Sequence, residues 1–256
     1  GRAIAGVGMA MTKVGTGTLV LSGANSFSGG TTINQGALSL NAGATLPDSL
    51  LASFPVTLGA SARLNLNATN QRVGVLVGET GAQLVLGTGS LTVRQNSDSE
   101  FAGAISGAGN LVKDGSGTLT LSSLNSYGST THIDAGMLTL SGLGTLGLGD
   151  ATVKSGATLH LDGVNLTSPP NLSLAGSGAG GVGGEGALTG SGDAGYNGAI
   201  TLTGPTSIGV GPLGTGTSAD NTLTLGGAIA GAGMAMTKVG TGTLELTKAS
   251  TYGGTT

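Results

Sequence analysis

One segment occurs three times in this chain, and its fixed internal register limits the fold more than any other feature. The middle copy runs Lys113-Asp114-Gly115-Ser116-Gly117-Thr118-Leu119-Thr120-Leu121, then Asn125-Ser126-Tyr127, Thr131-His132-Ile133 and Gly136-Met137-Leu138-Thr139-Leu140. One hundred residues earlier, Lys13, Gly15, Gly17, Leu19, Leu21, Asn25, Phe27, Thr31, Ile33, Gly36, Leu38 and Leu40 fill the same slots. A third copy follows the first by 225 residues, with Lys238, Gly240, Gly242, Leu244, Leu246 and Tyr252. The internal repeats span 3–40, 104–140 and 228–256. Segments 3–19 and 228–244 differ only where Val7 becomes Ala232, the mark of tandem duplication.

Between the paired leucines the middle residue changes freely: Val20, Thr120, Glu245. Alternate side chains of a strand point to opposite faces, so the leucines line a core and the residue between them meets solvent. Glycines bound each short strand and mark corners. Further strand candidates are Val56-Thr57-Leu58, Val75-Leu76-Val77, Leu91-Thr92-Val93, Leu172-Ser173-Leu174, Ile200-Thr201-Leu202 and Thr222-Leu223-Thr224-Leu225. Their spacing of about 8 to 12 residues predicts an all-β chain. A sandwich does not copy its strands at fixed intervals, whereas stacked coils need nearly identical turns, so the repeat favours a parallel β-helix, a solenoid. At about 20 to 25 residues per turn, ten to thirteen turns of about 4.8 Å give a rod of about 50 to 60 Å, with Leu19 near Leu38. Two stretches depart from this pattern. Segment 47–54 is either a helical turn with Pro47 at its first position or a loop ended by Pro55. The glycine-rich stretch 175–195 predicts a loop excursion or thin coils, with register restored at Tyr196 and Ile200.

Composition narrows the function classes. The chain has 53 glycines, 38% apolar residues and only 8% charged ones, so its solvated surface is built from Thr, Ser, Asn and Gly. A net charge of −3 without a basic cluster argues against nucleic acid. There is no cysteine, which removes disulfide and thiolate–metal chemistry. Residues 1–256 read as a single β-helix fragment of a longer array, since Gly1 lacks an initiator Met or signal segment and Thr256 falls inside the third copy.

The residues from Lys113 to Leu121, followed by Asn125-Ser126-Tyr127 and Thr130-Thr131, resemble the autotransporter-associated β-strand repeat of bacterial autotransporter passenger domains. The same pattern stands at 13–32 and, truncated, at 238–256. The resemblance implies a right-handed parallel β-helix with about three short strands per turn. It also implies type V secretion through a C-terminal outer-membrane β-barrel and display at, or release from, the cell surface. Ser250 in the slot of Asn25 and Asn125, and Phe27 in place of Tyr, are small departures affecting one corner.

Candidate chemistry is sparse. His132 with Asp134, and His160 with Asp162, are i, i+2 pairs able to share a strand face, yet neither brings a third metal ligand. Lys13, Lys113 and Lys238 are expected to be strand-end charges whose stems cover apolar surface. Arg94, Asp98 and Glu100 form the densest charged patch and are expected in a solvated loop, because glycoside cleavage needs two acids across a cleft. Asn25 and Asn125 are expected to bond backbone groups at turns. Tyr127, Tyr252 and Phe27 either cover corners or offer exterior contacts. The GxGxxG matches at 176–181 and 178–183 carry no strand–turn–helix context, and Gly183-Gly184-Glu185-Gly186 lacks the Asp of a calcium nonapeptide.

Three functions compete. The first is a non-enzymatic structural and adhesive stem that displays a binding region, with host or bacterial surface molecules, or further copies of itself, as partners. This reading includes no cofactor and no metal. The second is a polysaccharide lyase or hydrolase on the same scaffold. The third is a binder using outward threonines such as Thr118/Thr120, Thr201/Thr203 and Thr222/Thr224, which are not expected to recur on successive turns.

Overall fold

The computed structural model describes residues 4–6, 8–46, 54–180, 186–211 and 221–254. Every regular element among them is a strand, and neighbouring strands pair in parallel. The chain winds as a β-solenoid of about 11 turns, a rod of about 50 Å at about 4.8 Å per turn. The 47–53 part of the expected helical turn lies outside the described residues.

Each turn has three faces. The first face stacks 11–13, 31–33, 56–58, 76–78, 99–101, 118–121, 137–140, 157–161, 188–190, 206–210 and 236–239 in sequence order. The second runs from 18–21 through 37–40, 62–65, 83–85 and 104–106. It continues through single bonds, Ser126 N–H to Ile105 O and Leu148 N–H to Tyr127 O, each 2.8 Å, and ends on 193–196, 222–225 and 243–246. The third carries 71–73, 91–93, 111–113, 131–133, 151–153, 172–174, 200–202 and 229–231. Leu19 pairs with Leu38 as the leucine spacing predicts.

The interior is one column of like on like. Leu119, Leu138, Leu159, Leu188 and Ile208 lie in register on the first face, all fully buried. Each such leucine contributes about 1.5–3 kcal/mol by leaving water. Where one turn carries a large side chain, its neighbour shrinks. The Phe101 ring occupies the space a Cβ on Gly78 would need, and the Tyr127 ring does the same over Gly147.

Corners require glycine at particular slots. Gly36 and Gly136 have φ of 69° and 64°, and a Cβ on either would enter the carbonyls of the preceding corner, Gly15 and Gly17 or Gly115 and Gly117. Two expectations are corrected. Ser99–Phe101 is a strand with Phe101 buried inside, not a solvated loop; its alternation is the same as that of the leucine pairs. Within 175–195, residues 181–185 lie outside the described residues, but Leu188–Ser191 and Asp193–Tyr196 are strands, so regular turns resume ahead of Tyr196.

Candidate functional site

The repeated lysine points into the core. Lys13 pairs in register with Ile33, and Lys113 lies between Val93 and Ile133 in the third face's inward row. Lys113 is 0% exposed and Lys13 8%, so the reading of a strand-end surface charge is corrected for both. Each ammonium has three donors and uses all of them. Lys113 Nζ donates to Asp114 O at 3.0 Å, Gly115 O at 2.8 Å and Ala135 O at 3.2 Å. Lys13 Nζ repeats this on Val14 O, Gly15 O and Gln35 O at 2.8, 2.6 and 3.1 Å. The third acceptor belongs to the next turn, so the cation ties two stacked corners together. Burial pulls the Lys113 pKa down to about 8, with the Asp114 and Asp98 carboxylates opposing. Lys238 is exposed and bonds Gly240 O at 2.8 Å.

The asparagines do the same work with an amide. Asn125 Oδ1 accepts Ile105 N–H from the turn before at 3.0 Å, while Nδ2 donates to Ser123 O at 3.0 Å and to Thr145 O of the turn after at 2.8 Å. Asn25 joins Ile4 N, Gly23 O and Thr45 O in the same way. This is the backbone pairing the sequence predicts. The aromatic slot also faces inward: Phe27 and Tyr127 are buried, which rules out exterior contact for both. Tyr127 Oη shares a 2.7 Å hydrogen bond with Thr131 Oγ1, and burial raises the phenol's pKa to about 12.

The charged candidates are spread along the coil. Arg94 Nε lies 3.4 Å from Asp114 Oδ2, Thr118 N–H donates to Asp98 Oδ1 at 2.7 Å, and Ser122 Oγ donates to Glu100 Oε1 at 2.5 Å. All three link one turn to the next. His132 Nε2 bonds Thr130 Oγ1 at 2.9 Å, while Asp134 Oδ2 pairs with Lys154 Nζ at 2.8 Å. The strand places these two residues on separate partners. Among the described residues, no three His, Asp or Glu side chains converge as metal ligands do.

One outward cluster on the first face was not assembled from the sequence. Glu100, Thr120, Thr139, His160 and Thr189 form a single row across successive turns; Thr120 stacks on Thr139, while the Thr118/Thr120 pair meets Met137 and Thr139 and does not recur as a pair. Thr12, Thr32 and Thr57 make a similar row earlier. Asp98, Thr118, Thr120, Thr139, His160, Asp162 and Ser191 line an open groove of about 530 Å³ here. His160 is buried at 1% exposure, and burial lowers its pKa to about 4 against the pull of Asp162. Its bonds fix the tautomer. Ser191 Oγ donates to Asp162 Oδ1 at 2.9 Å, so its oxygen accepts from His160 Nε2–H at 3.0 Å, and Nδ1 accepts from Thr189 Oγ1 at 2.8 Å. The serine proton therefore points at the carboxylate, not at the histidine. Nucleophilic catalysis needs the reverse order, with the base free to take that proton.

Comparison with known proteins adds what the geometry lacks. The passenger-associated-transport-repeat family matches at residues 11–40, 111–140 and 236–256. A relative, the adhesin BmaC autotransporter of Brucella suis biovar 1 (strain 1330), is 32% identical over 192 residues, 69% of this chain and 6% of that protein. The chain belongs to the autotransporter passenger domains. No solved structure matches it. As passenger repeats, 11–40 and 111–140 each hold a complete lysine corner. The cation and its first two acceptors lie at the start, and the third acceptor lies 22 residues on.

Proposed function

We propose that the chain is a structural and adhesive rod, carried across the outer membrane and held at the bacterial surface, where it attaches the cell to host or bacterial surface molecules. The observation that carries this reading is the use of interior polarity. Lys13, Lys113, Asn25 and Asn125 spend their hydrogen bonds on joining turn to turn, which stiffens the coil and leaves specific chemistry to its outer walls. The printed name of the relative, an adhesin, supports it. The chain spans a small part of that relative, so partner and attachment are properties to be tested on the whole passenger. A non-enzymatic role fits the His160 cluster, whose serine is not activated.

The test is to display the parent protein on cells with Arg94, Glu100, His132 and Asp134 all replaced by alanine. Attachment and surface level are expected to match the unmodified protein, and removal of residues 1–256 to lower attachment. Loss of a measured enzymatic turnover in the fourfold variant with display intact would overturn the reading. So would attachment unchanged by removal of 1–256.

A further inference from the structure

The groove on the first face has a chemistry of its own. Its lining is hydroxyl, carboxylate and one imidazole, with no aliphatic side chain, no Phe, Tyr or Trp ring, and no Lys or Arg. It reaches from Asp98 in the fifth turn to Ser191 in the ninth, four spacings or about 19 Å along the axis. Most of the lining bonds are already made: Asp98 to Thr118 N, Asp162 to Ser191, and His160 to Thr189 and Ser191. Thr139 is the buried exception. Its residue is 6% exposed, and its Oγ1 is buried without a hydrogen-bond partner. A buried hydroxyl left without a partner costs about 1–3 kcal/mol, and this one sits in the middle of the groove's lining. Asp98 and Asp162 each keep one carboxylate oxygen clear of the protein bonds named above. They stand about 14 Å apart along the axis, three turns at about 4.8 Å, so they cannot chelate one ion between them.

We propose that this groove binds a carbohydrate chain, neutral or carrying amino sugars, laid along the coil axis. The site offers what sugar hydroxyls need. Thr118, Thr120 and Thr139 present groups that both donate and accept, and the free oxygens of Asp98 and Asp162 accept from sugar O–H or pair with a sugar ammonium. Two carboxylates and no cation turn away sulfated, phosphorylated or uronic acid chains. With no aromatic face, binding proceeds by hydrogen bonds to sugar edges, and specificity follows from the cost of leaving such bonds unmade. His160 acts as a positioning residue: both of its nitrogens are engaged, and it holds Ser191 and Thr189 in place.

The proposal deepens the adhesive reading and rests on it for its biological setting, yet it is tested on the purified chain. The probes are neutral, amino-sugar and sulfated oligosaccharides arrayed on a surface, with titration of any that bind. The variants are Thr139→Val, Asp98→Asn and, on another wall, Thr152→Val. Thr139→Val removes a hydroxyl that bonds nothing in the protein, so circular dichroism should be unchanged and the melting temperature should be equal or higher, because the unpaired hydroxyl's cost is relieved. Binding to neutral or amino-sugar chains is expected to fall at least tenfold in Thr139→Val and in Asp98→Asn, and to stay within twofold in Thr152→Val. No binding to any arrayed chain overturns the proposal, as does preference for sulfated chains or equal binding by all variants. If cells displaying the parent protein still attach while Thr139→Val changes nothing, the groove proposal fails and the adhesive reading stands. If the parent protein is displayed without attachment, the adhesive reading fails whatever the array shows.

Discussion

Segments 11–40 and 111–140 share one pattern and stand on different walls of the coil. In the first, 11–13 lies on the first face and 18–21 on the second; in the other, 111–113 lies on the third and 118–121 on the first. The hundred residues between them make four whole turns and two further faces. The third copy, with 236–239 on the first face and 243–246 on the second, returns to the arrangement of the first. What the motif encodes is therefore a corner and the two strands that leave it, not a wall. The first two copies sit at different corners of the coil and meet the same local demands there, an inward cation, a left-handed glycine and a stacked successor, so the motif serves at more than one corner.

If the corner is the unit, equivalent substitutions in the two copies should cost the same. Gly36→Ala and Gly136→Ala place a Cβ against backbone carbonyls at positive φ. A left-handed non-glycine costs about 1–2 kcal/mol and overpacking about 1–3, so each variant should lose about 4 kcal/mol in urea denaturation. A difference above about 2 kcal/mol between the two copies would break the equivalence.

The lysine series comes next. Lys113→Met leaves three buried carbonyls without their donor and should cost about 3 kcal/mol. Lys13→Met, slightly less buried, should cost about 2 by the same reasoning. Lys238→Met, at an exposed site, should stay within about 0.5 kcal/mol. Because the Lys113 pKa is about 8 in the fold against 10.5 as a free side chain, the unfolded chain binds more protons between those values. Its contribution to stability therefore rises from pH 8 to 10.5, and Lys113→Met should flatten that rise.

His160 lies on the turn after the second copy, stacked on its Thr139, and adds a pH readout there. Its folded pKa of about 4 lies below the ordinary 6.5, so in that window the unfolded state holds the extra proton. Stability is level above pH 6.5 and falls as the pH drops toward 4, by about 3 kcal/mol at about 1.4 kcal/mol per pH unit. His160→Gln should remove most of that slope in thermal melts. The smallest effect concerns the aromatic slot. Tyr127→Phe recreates the residue of the first copy, breaks the bond to Thr131 and should cost about 1 kcal/mol, read as a small drop in urea midpoint.

Much of the fold was legible because leucines alternate and glycines punctuate. The pairing of Leu19 with Leu38 and the strands at Leu91, Leu172 and Ile200 follow from that alone. The inward lysines were not legible, because the corner at Gly15 or Gly115 breaks the alternation that would carry phase from Leu19 or Leu119 back to Lys13 or Lys113. A signal was present nonetheless: Ile33 and Ile133 stand one turn after each lysine, in the same row. The groove needed register, since its row steps by 19, 21 and 29 residues from Thr120 to Thr139, His160 and Thr189. No fixed period finds a site spaced that unevenly.

The direct test of the offset between copies is disulfide trapping in a chain with no cysteine of its own. Thr120 lies beside Glu100 on the first face, whereas Ser106 lies on the second, the wall that the corresponding strand of the first copy occupies. Glu100→Cys with Thr120→Cys should oxidise to an intramolecular bridge at the strand spacing of about 4.8 Å, inside the range disulfides accept. Ser106→Cys with Thr120→Cys should remain reduced under the same conditions. A bridge in the second pair and none in the first would put both copies on the same walls and contradict the corner as the unit of this coil.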